Sequence, residues 1–84
     1  MDYKVLVKII VPEIEEEYEV YIPVNKTIAE VSDLLNQLVN NLSGVFPIKP
    51  SVRLYSRYTG AAYNNLALVR NTDIRNDTEL ILLS

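Results

Sequence analysis

The chain predicts an α+β fold in which one helix packs across one face of a mixed sheet, and three observations predict it. Residues 27–42, TIAEVSDLLNQLVNNL, form the one segment with sustained helical periodicity. Residues 3–11, 16–22, 52–58 and 79–83 alternate apolar and polar side chains, as half-buried strands do. No linker, repeat or low-complexity stretch divides the 84 residues, so residues 1–84 are expected to form a single domain around one core.

The first strand puts Tyr3, Val5, Val7, Ile9 and Val11 on one face and Lys4, Leu6, Lys8 and Ile10 on the other. Pro12 and the acidic run after it predict a turn over 12–15, because proline lacks a ladder donor and clustered glutamates disfavour a strand centre. The second strand then points Tyr18, Val20 and Ile22 inward and Glu17, Glu19 and Tyr21 outward, and Pro23 ends it. A four-residue loop between them sets Val7 opposite Val20, Lys8 opposite Glu19 and Leu6 opposite Tyr21.

In the helix, Ile28, Val31, Leu35, Leu38 and Leu42 make an apolar stripe that Leu34 and Val39 widen. Thr27 and Glu30 have the spacing of a capping box, and Gly44 suits the left-handed residue that ends a helix. Residues 43–51 hold Gly44, Pro47 and Pro50 and are expected to be irregular, with Val45, Phe46 and Ile48 tucked beneath the helix end. In 52–58, Val52 and Leu54 face inward while Arg53, Tyr55 and Arg57 face outward, and Thr59-Gly60 makes a turn. Residues 61–70 are expected to supply a weak edge strand through Leu66, Leu68 and Val69. A capped turn at 71–74 with Ile74 inward and a second turn at Asn76-Asp77 lead to the last strand.

Composition narrows the chemistry. Apolar residues make up 49% of the chain, which argues against disorder, and the net charge of -3 argues against general affinity for nucleic acid or an anionic membrane. With no cysteine and no histidine there is no disulfide or Cys/His metal clip, and no cofactor, metal or catalytic residue is expected. The cluster Glu13, Glu15, Glu16, Glu17 and Glu19 lacks the Asx and glycine spacing of a calcium loop and reads as a solvated hairpin tip, with contact to a basic partner as its other use. Asp73 and Asp77 lie among turns, where aspartate ordinarily caps backbone donors. Lys4 and Lys8 break the N-terminal apolar run, no uncharged run nears the roughly 18 residues of a membrane span, and a cytoplasmic protein is expected. The sequons at Asn25, Asn41 and Asn76 read as chance in that setting.

A sheet covered by one helix leaves its other face open to solvent or to a partner. That face carries Leu6, Tyr21, Ile81, Leu83 and Tyr55, flanked by Lys8, Arg53 and Arg57, and such a mixture of apolar, tyrosine and arginine side chains is typical of interaction hot spots. The same residues also suit plain strand stabilisation. Arg53, Tyr55 and Arg57 have the spacing of a base-stacking strand as well, against which the acidic balance of the chain weighs.

The element order, with KVLVKI at residues 4–9, TIAEV at 27–31, VRLY at 52–55 and TDIRNDTELILL at 72–83, resembles the ubiquitin-like β-grasp. That resemblance implies the strand order 2-1-5-3-4, counting the weak segment as the fourth strand. Within the superfamily, the size, the YEVYIPV strand running into the helix and VRLYS resemble the YukD/EsaB-like proteins, stand-alone cytoplasmic ubiquitin-like proteins associated with type VII, WXG100-type secretion. Conjugated modifiers and sulfur carriers of the fold end in Gly-Gly; this chain ends Leu82-Leu83-Ser84, so neither activity is expected. The resemblance implies a non-enzymatic interaction domain with protein partners, secretion-machinery components among them, and an accessory or regulatory role in a Gram-positive type VII system. An adaptor or inhibitor of an unrelated partner is the alternative, and a sheet-face nucleic-acid binder a third. A homodimer through the outer face or through 61–70 is a further expectation.

Overall fold

The structure is a computed structural model and describes residues 3–45, 47 and 49–84. Four strands form one mixed sheet: β1 (Lys4–Val11), β2 (Glu16–Pro23), β3 (Arg53–Ser56) and β4 (Glu79–Leu83), in the order β2-β1-β4-β3. The helix α1 (Ile28–Ser43) connects β2 to β3 and packs on one face of the sheet. β1 and β2 make the expected hairpin, with Val7 opposite Val20, Lys8 opposite Glu19 and Leu6 opposite Tyr21. Its turn is a 3-10 helix, Pro12–Ile14, followed by Glu15 at φ 53. β4 lies parallel to β1 and antiparallel to β3 at the centre of the sheet.

Helix α1 begins where local chemistry dictates. Thr27 Oγ1 accepts from the Glu30 N–H at 3.2 Å, and Glu30 Oε1 accepts from the Thr27 N–H at 3.0 Å, which satisfies two donors that a helix start leaves open. Gly44 ends it at φ 71, with its N–H donating to the Asn40 carbonyl. The helix buries Ile28, Val31, Leu35 and Val39 against Val7, Ile9, Val11, Ile22, Leu54, Leu80 and Leu82, with Val52, Val69 and Ile74 completing the core.

Several expectations are corrected. Leu34 and Leu42 are 53% and 55% exposed rather than part of the buried stripe, which instead takes in Ser32 and Asn36. Leu34 lies on the flank of the helix, and Leu42 falls in its last turn. Ser32 is tolerated inside because its hydroxyl donates to the Ile28 carbonyl at 2.8 Å. Val45 is 72% exposed; Phe46 and Ile48 lie outside the described residues. Tyr3 is 51% exposed, whereas Tyr18 and Val20 point inward and pack against the core as expected but are only half-buried, since among the described residues no strand lies beyond β2. β3 stops at Ser56, whose hydroxyl accepts from the N–H groups of Tyr58 and Thr59 and turns the chain there.

The largest correction concerns residues 61–70, which form no strand, so the sheet has four strands in place of the expected five. The backbone of this segment has other work. Carbonyls of Asn65 and Ala67 accept from Ala29 and Ile28, two of the open donors at the start of α1, and Val69–Asn71 forms a 3-10 turn beneath it. Two isolated strand-like bridges remain, Ala62 to Tyr55 and Leu68 to Thr27.

Candidate interaction surface

The sheet registers assemble the outer face in rows. Leu6 lies beside Tyr21 in the first row. Lys8 lies between Glu19 on β2 and Glu79 on β4 in the second, and Arg57, just past β3, extends it by donating its N–H to the Glu79 carbonyl at 3.2 Å. The third row runs Glu17, Ile10, Ile81, Tyr55, and Arg53 follows beside Leu83. All eight residues singled out in the sequence, Leu6, Lys8, Tyr21, Arg53, Tyr55, Arg57, Ile81 and Leu83, therefore stand on or next to one face. The charged second row nevertheless divides their apolar members into a Leu6–Tyr21 spot and an Ile81–Tyr55–Leu83 spot.

Two residues of that face carry more than the sequence suggested. Ile10 is half-buried in the middle of the second apolar spot, and Glu79 places a carboxylate beside Lys8. Alternation already set Ile10 with Leu6 and Lys8, but which β4 residue meets which β1 residue depends on a parallel register that no local signal encodes. Lys8 also pairs diagonally with Glu17 at 3.6 Å, so the rim expected to be cationic is cationic only toward β3. There Arg53 is exposed and donates to the Tyr63 carbonyl at 3.3 Å. A depression lined by Leu6, Val7, Lys8, Glu19, Asp77 and Glu79 lies along β1, between Glu19 of β2 and the start of β4. Of its large apolar side chains only Tyr21, at 65%, is strongly exposed; Leu6, Tyr55, Ile81 and Leu83 are half-buried.

The other polar residues have structural uses. Asp73 accepts from the Tyr63 hydroxyl at 2.8 Å, and burial, then that bond, pushes the Tyr63 hydroxyl up to about 12. Asp77, at φ 71, makes the turn before β4 and donates its N–H to the Leu6 carbonyl at 2.7 Å. Asn76 Oδ1 accepts from the Leu6 N–H at 2.9 Å. Among the described residues no group of three or more Asp and Glu side chains stands where it holds a metal, and no helix is long and apolar enough to cross a membrane.

Glu13, in the hairpin turn, ties three segments together. It pairs with Lys49 at 3.0 Å and accepts from the N–H and hydroxyl of Ser84 at 3.3 and 2.9 Å. The Lys49 bond first, and the Ser84 hydroxyl next, hold its carboxyl below the ordinary 4.5. A carboxyl depressed in the folded state stabilises that state above its unfolded pKa and loses the effect as pH falls through the folded one. Glu13→Gln is therefore expected to lower stability at neutral pH and to converge on the native protein under acid, as read by urea denaturation across that range. A difference independent of pH would contradict the arrangement.

No family model and no curated protein matches the sequence. Solved structures do match. The ubiquitin-like domain of EccD5 from Mycobacterium xenopi superposes with a TM-score of 0.79 at 17% identity, covering 96% of this chain and 93% of that one. The fold is the ubiquitin-like β-grasp. A chain of the MycP5-free ESX-5 inner membrane complex, state II, gives the same TM-score at 18% identity over 96% of this chain and 21% of that one, so this chain spans about a fifth of its length. A chain of the toluene 4-monooxygenase HD complex with the inhibitor 4-bromobenzoate reaches 0.78 at 10% identity, covering 94% and 95%. Identities this low speak for fold, and within the ubiquitin-like fold the outer face described above is the one that α1 leaves uncovered.

Proposed function

We propose that this ubiquitin-like domain is a non-enzymatic, cytoplasmic interaction module that presents its outer sheet face to a protein partner. Its role is accessory or regulatory in a Gram-positive type VII secretion system, in the manner of the YukD/EsaB-like proteins. The observation that carries the reading is the likeness to the EccD5 ubiquitin-like domain along nearly the whole of both chains. The likeness to a chain of an ESX-5 inner membrane complex supports the same setting. On the face itself, Tyr55, Ile81 and Leu83 with Arg53 and Arg57 form the apolar centre and cationic flank that contacts the partner, and Leu6, Lys8 and Tyr21 form a second contact point.

The test is an affinity pulldown from Gram-positive lysate with the native domain beside Leu6→Ser/Tyr55→Ala, whose fold is first checked by circular dichroism. The native domain is expected to retain a WXG100 protein or an FtsK/SpoIIIE-like ATPase, and the variant to lose it. Equal retention by both proteins would refute the sheet-face reading. Retention of an unrelated enzyme would favour the second reading, a ubiquitin-like adaptor or inhibitor, which the likeness to a chain of the toluene 4-monooxygenase complex supports.

A further inference from the structure

We propose that β2 is a docking edge, distinct from the outer face. An extended segment of a partner protein, alternating apolar residues with lysine or arginine, adds to β2 as a further strand and lays its apolar side chains against a leucine stripe on α1.

A sheet of four strands has two edges, and the structure treats them differently. The β3 edge is covered: the Ser56 N–H donates to the Ala61 carbonyl at 2.9 Å, and the Tyr63 N–H to the Leu54 carbonyl at 3.0 Å. The β2 edge is open, and its donors can be assigned. Val24 N–H donates to the Tyr3 carbonyl at 2.7 Å, so that opposed pair is hydrogen-bonded. In an antiparallel ladder bonded and non-bonded pairs alternate, so Ile22, Val20 and Tyr18 also bond to β1, while the N–H groups of Glu17, Glu19 and Tyr21 point away from it. Lys8 on β1 obeys the same alternation, donating to the Thr78 carbonyl on its other side. Among the described residues no hydrogen bond takes up the three outward N–H groups. Pro23 has no N–H and closes the edge at one end. An open row of donors and acceptors is a template for strand addition.

The second observation lies on the helix. Asn36 binds the Lys49 backbone, in the segment that leads into β3, so that flank of α1 faces the β3 side of the sheet. Leu34, Leu38 and Leu42 recur at every fourth residue on the opposite flank, the one toward β2. Leu34 and Leu42 are exposed and Leu38 is half-buried, as are Tyr18 and Val20 on the adjoining inner face of β2. A strand added to β2 sends alternate side chains toward this apolar strip and the others to the outer face beside Glu17 and Glu19.

Charge selects the occupant. β2 contains Glu16, Glu17 and Glu19 and no lysine or arginine, and the chain carries a net charge of -3. A partner strand with lysine or arginine at its outward positions is attracted, whereas a second copy would bring the same glutamates to the shared edge.

The experiment uses two terminally blocked peptides of strand length, one alternating valine and lysine, the other valine and glutamate, added to the native domain while amide exchange is followed by NMR. The valine–lysine peptide is expected to slow exchange at Glu17, Glu19 and Tyr21 by about tenfold or more, in a salt-sensitive way, and the valine–glutamate peptide to leave them unchanged. Leu34→Ser with Leu42→Ser, both at exposed positions, is expected to weaken peptide binding by about tenfold, and Leu6→Ser on the outer face to leave it unaltered. No slowing with the lysine peptide, equal slowing with both, or slowing that follows protein concentration without peptide would each overturn the proposal, the last by assigning the edge to a second copy.

Discussion

Leu54→Ala is expected to destabilise the domain by about 3 kcal/mol, the usual cost of a leucine truncated inside a core that cannot fully collapse. Leu54 is completely buried, lies opposite Leu82 across the β3–β4 ladder, and belongs to the core beneath α1. Against a total stability on the order of 5–10 kcal/mol for a domain of this size, that is a large share. The melting temperature should fall by roughly 15 °C, read by circular dichroism or calorimetry. Leu66→Ala provides the control. Leu66 is 85% exposed, and its truncation should change stability by less than about 0.5 kcal/mol. Similar effects at the two positions would mean that β3 is not packed as described.

Asn36→Ala has the second largest expected effect, about 2 kcal/mol. The Asn36 amide is buried and pairs with the Lys49 backbone as a neighbouring peptide would: Nδ2 donates to the Lys49 carbonyl at 2.8 Å, and the Lys49 N–H donates to Oδ1 at 3.2 Å. Alanine removes both bonds from an enclosed site. The consequence reaches the hairpin, because Lys49 also holds Glu13. Urea unfolding of Asn36→Ala, Glu13→Gln and the double variant should show less-than-additive losses, since loosening Lys49 already weakens what Glu13 contributes. Strict additivity would separate the two contacts.

The elements legible in the chain are those specified by neighbours in sequence. Period-two alternation and the turn at Pro12 set the β1–β2 register residue for residue. The Thr27–Glu30 box and Gly44 bracket α1, and Glu79–Leu83 forms the last strand where alternation placed it. Alternation also assigned Leu6, Tyr21, Tyr55 and Ile81 to one face, because side-chain parity along a strand needs no knowledge of its partner.

What lay beyond the sequence depended on pairings distant along the chain. Residues 61–70 contain strand-forming side chains, yet the carbonyls of Asn65 and Ala67 are taken by the first N–H groups of α1, a demand visible only once helix and loop meet. Leu34 and Leu42 match the periodicity of the buried stripe, but burial requires a surface to cover them, and none of the described strands lies beyond β2 on that flank. The parallel β1–β4 register brought Glu79 beside Lys8 and split the outer face into two apolar spots. Parity tells which face a side chain takes, whereas neighbours across a sheet are settled by the packing of the whole core.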